Sequence, residues 1–187
     1  MVYFSKTGIT KKLVQAACSG IESTGSEVFS HQIKGLDIVE GRFMNLEIFQ
    51  ELRACDAIIF ASPTYMGGVA AQFKAFADST SDFWERQEWA GKIAAGITSG
   101  SALNGDQSST LQYFSTLASQ HGMVWVGIDS VSGGEGKTLN RLGCQLGVVA
   151  QSDDTEIDIT DVETAKYLGI RVSKLASILC KRILNNQ

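Results

Sequence analysis

The residues best suited to chemistry come early, in Ser5-Lys6-Thr7-Gly8-Ile9-Thr10. A short apolar run precedes them and a helical pattern follows. A strand–loop–helix of this make-up aims backbone N–H groups, hydroxyls and the positive end of a helix dipole at one point, which suits a phosphate. G-x-G-x-x-G is absent and no acidic residue ends the second apolar run, so this is not a dinucleotide fingerprint. Ser5, Thr7 and Thr10 with Gly8 at the turn instead describe a neutral cradle for one terminal phosphate, with Lys6 solvated. Two later segments have the same character: Ser62-Pro63-Thr64-Tyr65-Met66-Gly67-Gly68 and Thr98-Ser99-Gly100-Ser101-Ala102-Leu103-Asn104-Gly105-Asp106. Glycine, serine and threonine at one such loop serve turns and N-caps. Three such loops, carrying little charge, ask for a common ligand.

The elements that must position them alternate along the chain. Residues 1–5, 27–33, 57–61, 93–98 and 123–128 read as strands. Helical stripes lie between and after them: Leu13, Val14, Ala17 and Ile21; a short helix over 46–53; Val69, Phe73, Phe76 and Ala77; Leu111, Phe114, Leu117 and Ala118; and Val162, Ala165, Leu168, Val172 and Leu175, with Asp161 as cap. This predicts an α/β, three-layer doubly wound domain over 1–187. Its five-stranded parallel sheet has the order 2-1-3-4-5, and the three loops share one rim at the C-terminal strand ends. Residues 129–158 read as a long, irregular excursion after strand five. Only four residues precede Ser5, which is short for a central strand and suggests lost N-terminal residues.

The phosphate loop resembles that of flavodoxin-like FMN proteins. The blocks Ala57-Ile58-Ile59-Phe60, Ser62-Pro63-Thr64-Tyr65-Met66-Gly67, Gln72-Phe73-Lys74-Ala75-Phe76, residues 80–84 followed by Gly91-Lys92, His121-Gly122-Met123-Val124 and Ala165-Lys166-Tyr167-Leu168-Gly169 resemble, in order, the WrbA family of NAD(P)H:quinone oxidoreductases. The resemblance implies non-covalent FMN. Its phosphate would lie on Ser5, Lys6, Thr7, Gly8, Ile9 and Thr10. Its isoalloxazine would be lined by Pro63, Thr64, Tyr65, Met66 and Gly67 and by Ser99, Gly100, Ser101 and Asn104. The family's flavin-contacting histidine falls on Gln120 or on the adjacent His121. Trp84 matches a tryptophan facing the substrate space, and Phe83 and Trp84 equally read as core at a helix end. The resemblance further implies hydride passage from NAD(P)H through the flavin to a quinone without a protein nucleophile, and a homo-oligomer, dimer or tetramer. The family's Gly-Gly-Thr-Pro-Tyr-Gly segment is missing from 129–158.

Composition narrows the alternatives. The chain has 187 residues, 44% hydrophobic and 19% charged, with a net charge of −4. That gives no basic footprint for nucleic acid and no polybasic membrane patch. No apolar run is long enough to span a bilayer. Cys18, Cys55, Cys144 and Cys180 are scattered and only His31 and His121 accompany them, so no metal site is expected and the thiols suit the cytoplasm. Gly136-Lys137-Thr138 lacks the first glycine of a nucleotide P-loop. Three readings remain open: an FMN-dependent NAD(P)H:quinone oxidoreductase, a flavodoxin-type electron carrier with no turnover of its own, and a non-redox protein that keeps the fold.

Overall fold

Ala57-Ile58-Ile59-Phe60-Ala61 is continuously apolar because the strand it forms is covered on both faces. The computed structural model describes residues 1–131, 139–153 and 156–184. The strands are β1 (Val2–Tyr3), β2 (His31–Gln32), β3 (Ile38–Val39), β4 (Arg42–Phe43), β5 (Ala57–Tyr65), β6 (Gly68–Val69), β7 (Ile93–Gly100), β8 (Val124–Trp125) and β9 (Val148–Gln151). The helices are α1 (Ile9–Glu22), α2 (Glu47–Ala54), α3 (Ala71–Ser79), α4 (Ser81–Trp84), α5 (Gln107–Gln120) and α6 (Ile159–Leu184). The main sheet is ordered β2-β1-β5-β7-β8, every neighbour parallel. Taken in chain succession this is the 2-1-3-4-5 order of a doubly wound flavodoxin-like fold.

Side chains alternate across β5. Ile59 and Ala61 pack with Leu13 and Ala17 of α1 and Leu168 and Val172 of α6, whereas Ile58 and Phe60 pack with Phe49, Phe73, Phe76 and Phe114 from α2, α3 and α5. Helices α1 and α6 meet through glycine. A Cβ at Gly20 would lie 2.1 Å from the Lys166 carbonyl oxygen, and one at Gly169 would lie 2.1 Å from that of Ala17.

Four expectations change. Strands β5 and β7 run on to Tyr65 and Gly100, so much of the second and third loops is strand. The register pairs Pro63 with Ser99, and β5 then turns back on β6 through Met66 and Gly67, at φ 50° and 75°. The 129–158 excursion is not irregular throughout, because it returns to the sheet as β9, whose Val148–Gln151 pair with Ile97–Gly100 of β7. The fifth strand position is thus shared: β8 flanks the start of β7 and β9 flanks its end. The second strand is shorter than 27–33, since pairing extends only along β1, and a β3–β4 hairpin follows it. At the start of α6, Asp158 rather than Asp161 receives the Thr160 N–H, at 2.8 Å. Gly136-Lys137-Thr138 lies outside the described residues.

Candidate functional site

The ends of β1, β5 and β7 bring three segments to one edge of the sheet, as a switch point requires. A cleft of about 120 Å³ opens there, lined by Thr7 and Ile9 from the first segment, Pro63, Thr64 and Tyr65 from the second, Ser99, Gly100 and Ser101 from the third, and Ser152.

The first wall is the start of α1. Gly8, at φ 99°, makes the turn, and a Cβ there would meet nothing within 4 Å. The open space beside its Cα is where a ligand group can come against the backbone. The first N–H groups of a helix have no intrahelical acceptor. Here Lys11 N–H donates to Ser5 Oγ at 3.2 Å and Lys12 N–H to the Gly8 carbonyl, so the N–H groups just before them are those an anion would meet. Thr10 and Ser99, both buried, join their hydroxyls at 3.0 Å and tie this wall to the end of β7. Lys6 is exposed.

The third wall is held from behind. Gln107 Oε1 accepts the Gly105 N–H at 2.8 Å and its Nε2 donates to the Ala102 carbonyl at 2.6 Å. A Cβ on Gly100 would lie 2.6 Å from that Nε2, so any larger residue there displaces the Gln107 side chain. Ser152 N–H donates to the Gly100 carbonyl, and Gln151 Nε2 to that of Ser101 at 2.9 Å. Arg141 makes a bidentate pair with the buried Asp161 at 2.9 and 2.8 Å, and Asp161 Oδ2 accepts Gln151 N–H at 3.2 Å. Burial pushes the Asp161 carboxyl up from its ordinary pKa while Arg141 pulls it back. Ser152, Gln151 and Gln107 were not legible as site residues, because their places depend on β9 and on the fold of the 101–106 loop.

Not every expected residue reaches the cleft. Tyr65 lines it, and Met66 and Gly67 form the exposed hairpin tip beyond; Asn104 stands on the exposed 101–106 loop. Gln120 and His121 sit at the far end of α5, a helix whose first residue, Gln107, backs the cleft. At 1.5 Å per residue the fourteen residues of α5 put them about 20 Å away. His121 is buried against Trp89, ring centroids 4.6 Å apart. Thr80 Oγ1 donates to the Ala77 carbonyl, so it accepts from His121 Nε2–H at 2.8 Å, which leaves Nδ1 unprotonated, buried and without a partner among the described residues. Burial holds its pKa below the usual value. Trp84 is 48% exposed in α4 and belongs to the same far end: Gln87 Nε2 donates to the carbonyls of both Trp84 and Gln120. Phe83 stacks on Phe49. Within one chain, then, the roles that the resemblance gives Trp84, Gln120 and His121 are not met at this cleft.

Residues 4–138 match the model of the NADPH-dependent FMN reductases. The chain belongs to that family. It is 36% identical to flavodoxin FldP of Pseudomonas aeruginosa, covering 96% of each protein, and 32% identical to an NAD(P)H dehydrogenase (quinone) of Archaeoglobus fulgidus, covering 96% of this chain and 97% of that one. The crystal structure of a WrbA-like flavodoxin from Agrobacterium tumefaciens superposes with a TM-score of 0.75 at 36% identity, covering 94% of both chains. The protein is therefore a flavodoxin-like, WrbA-type FMN oxidoreductase, and FMN is its cofactor. The cleft fits that group. It offers a glycine turn, hydroxyls and helix N–H groups for a phosphate and, beside them, strand-end backbone and small side chains. Its volume, about 120 Å³, is small beside the several hundred Å³ of an enclosing pocket.

Proposed function

We propose that the protein oxidises NAD(P)H and reduces a quinone or a similar two-electron acceptor. The supporting observation is the lining of the cleft, which carries no charged side chain among the described residues and leaves Tyr65 42% exposed. A second planar, apolar molecule can lie against such a lining. FMN held here would supply the two-electron redox chemistry between the nicotinamide and the acceptor. The residues of the chain bind and orient: the 5–10 segment takes the phosphate, the β5 and β7 ends hold the ring, and no side chain acts as a nucleophile. The Archaeoglobus fulgidus relative is named for this reaction, as is a Sinorhizobium fredii protein 27% identical to this chain.

The test is steady-state oxidation of NADH and NADPH by FMN-loaded protein with benzoquinone. Turnover well above the apoprotein background is expected, and its absence overturns the reading. The name of the Pseudomonas aeruginosa relative favours a second reading, an electron carrier, which that negative result would leave standing. We place Trp84 and Gln120 at a contact between copies of the chain, since only there can they serve a flavin cleft. A homo-oligomer by sedimentation is expected. The free thiols of Cys18, Cys55 and Cys144 and the relatives' redox role support a cytoplasmic protein. Among the described residues no helix is long and apolar enough to cross a membrane.

A further inference from the structure

Beneath the cleft lies a line of hydroxyls that meets it at Thr64. Thr64 Oγ1 is 2.8 Å from Thr98 Oγ1 and 2.8 Å from Thr110 Oγ1, and Thr98 Oγ1 is 2.8 Å from the Ser62 carbonyl oxygen. Thr98 and Thr110 are fully buried. Each hydroxyl has one hydrogen, so the polarity is fixed. The Ser62 carbonyl can only accept, so Thr98 donates to it. Thr64 must then donate to Thr98, and Thr110 to Thr64. The line runs one way from α5 through β5 to β7 and back to β5, and it spends every hydrogen.

Thr64 is the only one of the three threonines that lines the cleft. Its hydroxyl is drawn inward by two buried partners, which fixes its rotamer and with it the segment that starts the β5–β6 turn. The neighbouring Ser62 Oγ accepts the Ala70 N–H at 2.9 Å, holding the far side of that turn. We propose that Thr110, a residue of α5 that does not line the cleft, is a positioning residue for the FMN ring: through Thr64 it sets the backbone of residues 63–65 against which the ring lies. This rests on the placement of the ring between the β5 and β7 ends.

The experiment compares Thr110→Val, which keeps the shape and removes the donor, with Thr110→Ser, which restores it. FMN affinity, the visible absorption spectrum and reduction potential of the bound flavin, and the thermal stability of the apoprotein are measured for each. Losing one neutral hydrogen bond predicts FMN binding about 3- to 10-fold weaker in Thr110→Val, with a shifted spectrum and potential, and both near wild type in Thr110→Ser. Thr98→Val, which cuts the line at its next link, gives the same result and replaces Thr110→Val if that variant does not fold. A stability loss with FMN affinity, spectrum and potential unchanged means a purely structural hydroxyl and overturns the proposal alone. Wild-type protein that takes up no FMN overturns the placement of the ring as well.

Discussion

Gly8 shows how one residue links backbone conformation to ligand. At φ 99° an alanine is strained although its Cβ would touch nothing, and the loop relieves that strain by shifting the N–H groups around it. Gly8→Ala is expected to weaken FMN binding by about tenfold, equivalent to about 1.4 kcal/mol, with a smaller loss of apoprotein stability; fluorescence titration of FMN reads it directly. His121 makes a different argument. Its pKa, and that of His31, are lowered by burial from the ordinary 6.5, and for His31 Asp37 at 3.7 Å offsets part of the effect. Below pH 6.5 the unfolded chain therefore binds protons that the folded chain refuses, so stability falls as pH falls, by up to about 1.4 kcal/mol per pH unit for each group. Denaturant titrations between pH 8 and 5 check the slope. His121→Gln should flatten it, because an amide can still donate to Thr80 but does not titrate.

At the scale of elements, α1 and α6 are as close as they are because Gly20 and Gly169 have no Cβ. Each alanine substitution drives a methyl into a carbonyl oxygen and should cost about 1–3 kcal/mol. The double variant should cost less than the sum, since one separation of the helices relieves both clashes; urea midpoints of the three variants decide this. The Arg141–Asp161 pair is the matching device at β9. Arg141→Gln leaves a buried carboxylate uncompensated, for a loss of about 3 kcal/mol. It should also weaken FMN binding, because Asp161 holds Gln151 and Gln151 holds Ser101. The sequence displayed the elements that read through local pattern: the apolar run of β5, the stripes of α1 and α5, the glycine and hydroxyls before α1. It hid those whose shape depends on a partner. The last residues of β7 read as loop because β9 lay in a stretch without periodicity. The β3–β4 turn was invisible because Glu40 and Gly41, at φ 49° and 79°, put a glutamate where asparagine or aspartate is the usual signal. Of the cleft, Thr7, Pro63, Thr64 and Ser99 were legible from composition. Ser152 was not, and Trp84, Gln120 and His121, whose roles came from the resemblance, lie outside the cleft of a single chain.

For the whole molecule the informative quantity is where the charge lies. The chain carries −4, yet its first acidic residue is Glu22, and Lys6, Lys11 and Lys12 precede it. All three are exposed, around the turn that would take the phosphate. Net charge and local charge thus make opposite predictions for a dianionic ligand. If net charge governed, added salt would screen repulsion and speed FMN association. If the three lysines govern, salt screens attraction and slows it, because over a Debye length of about 10 Å at 0.1 M the nearest charges dominate. Stopped-flow fluorescence quenching of FMN by apoprotein, from 20 mM to 500 mM salt, is expected to show association slowing severalfold while dissociation changes little. Replacing Lys6, Lys11 and Lys12 together by glutamine should remove the slowing and, with the acidic remainder of the chain left in control, reverse its sign. A slowing that persists unchanged in that variant would mean that the attraction comes from elsewhere on the molecule, with the three lysines as solvated bystanders.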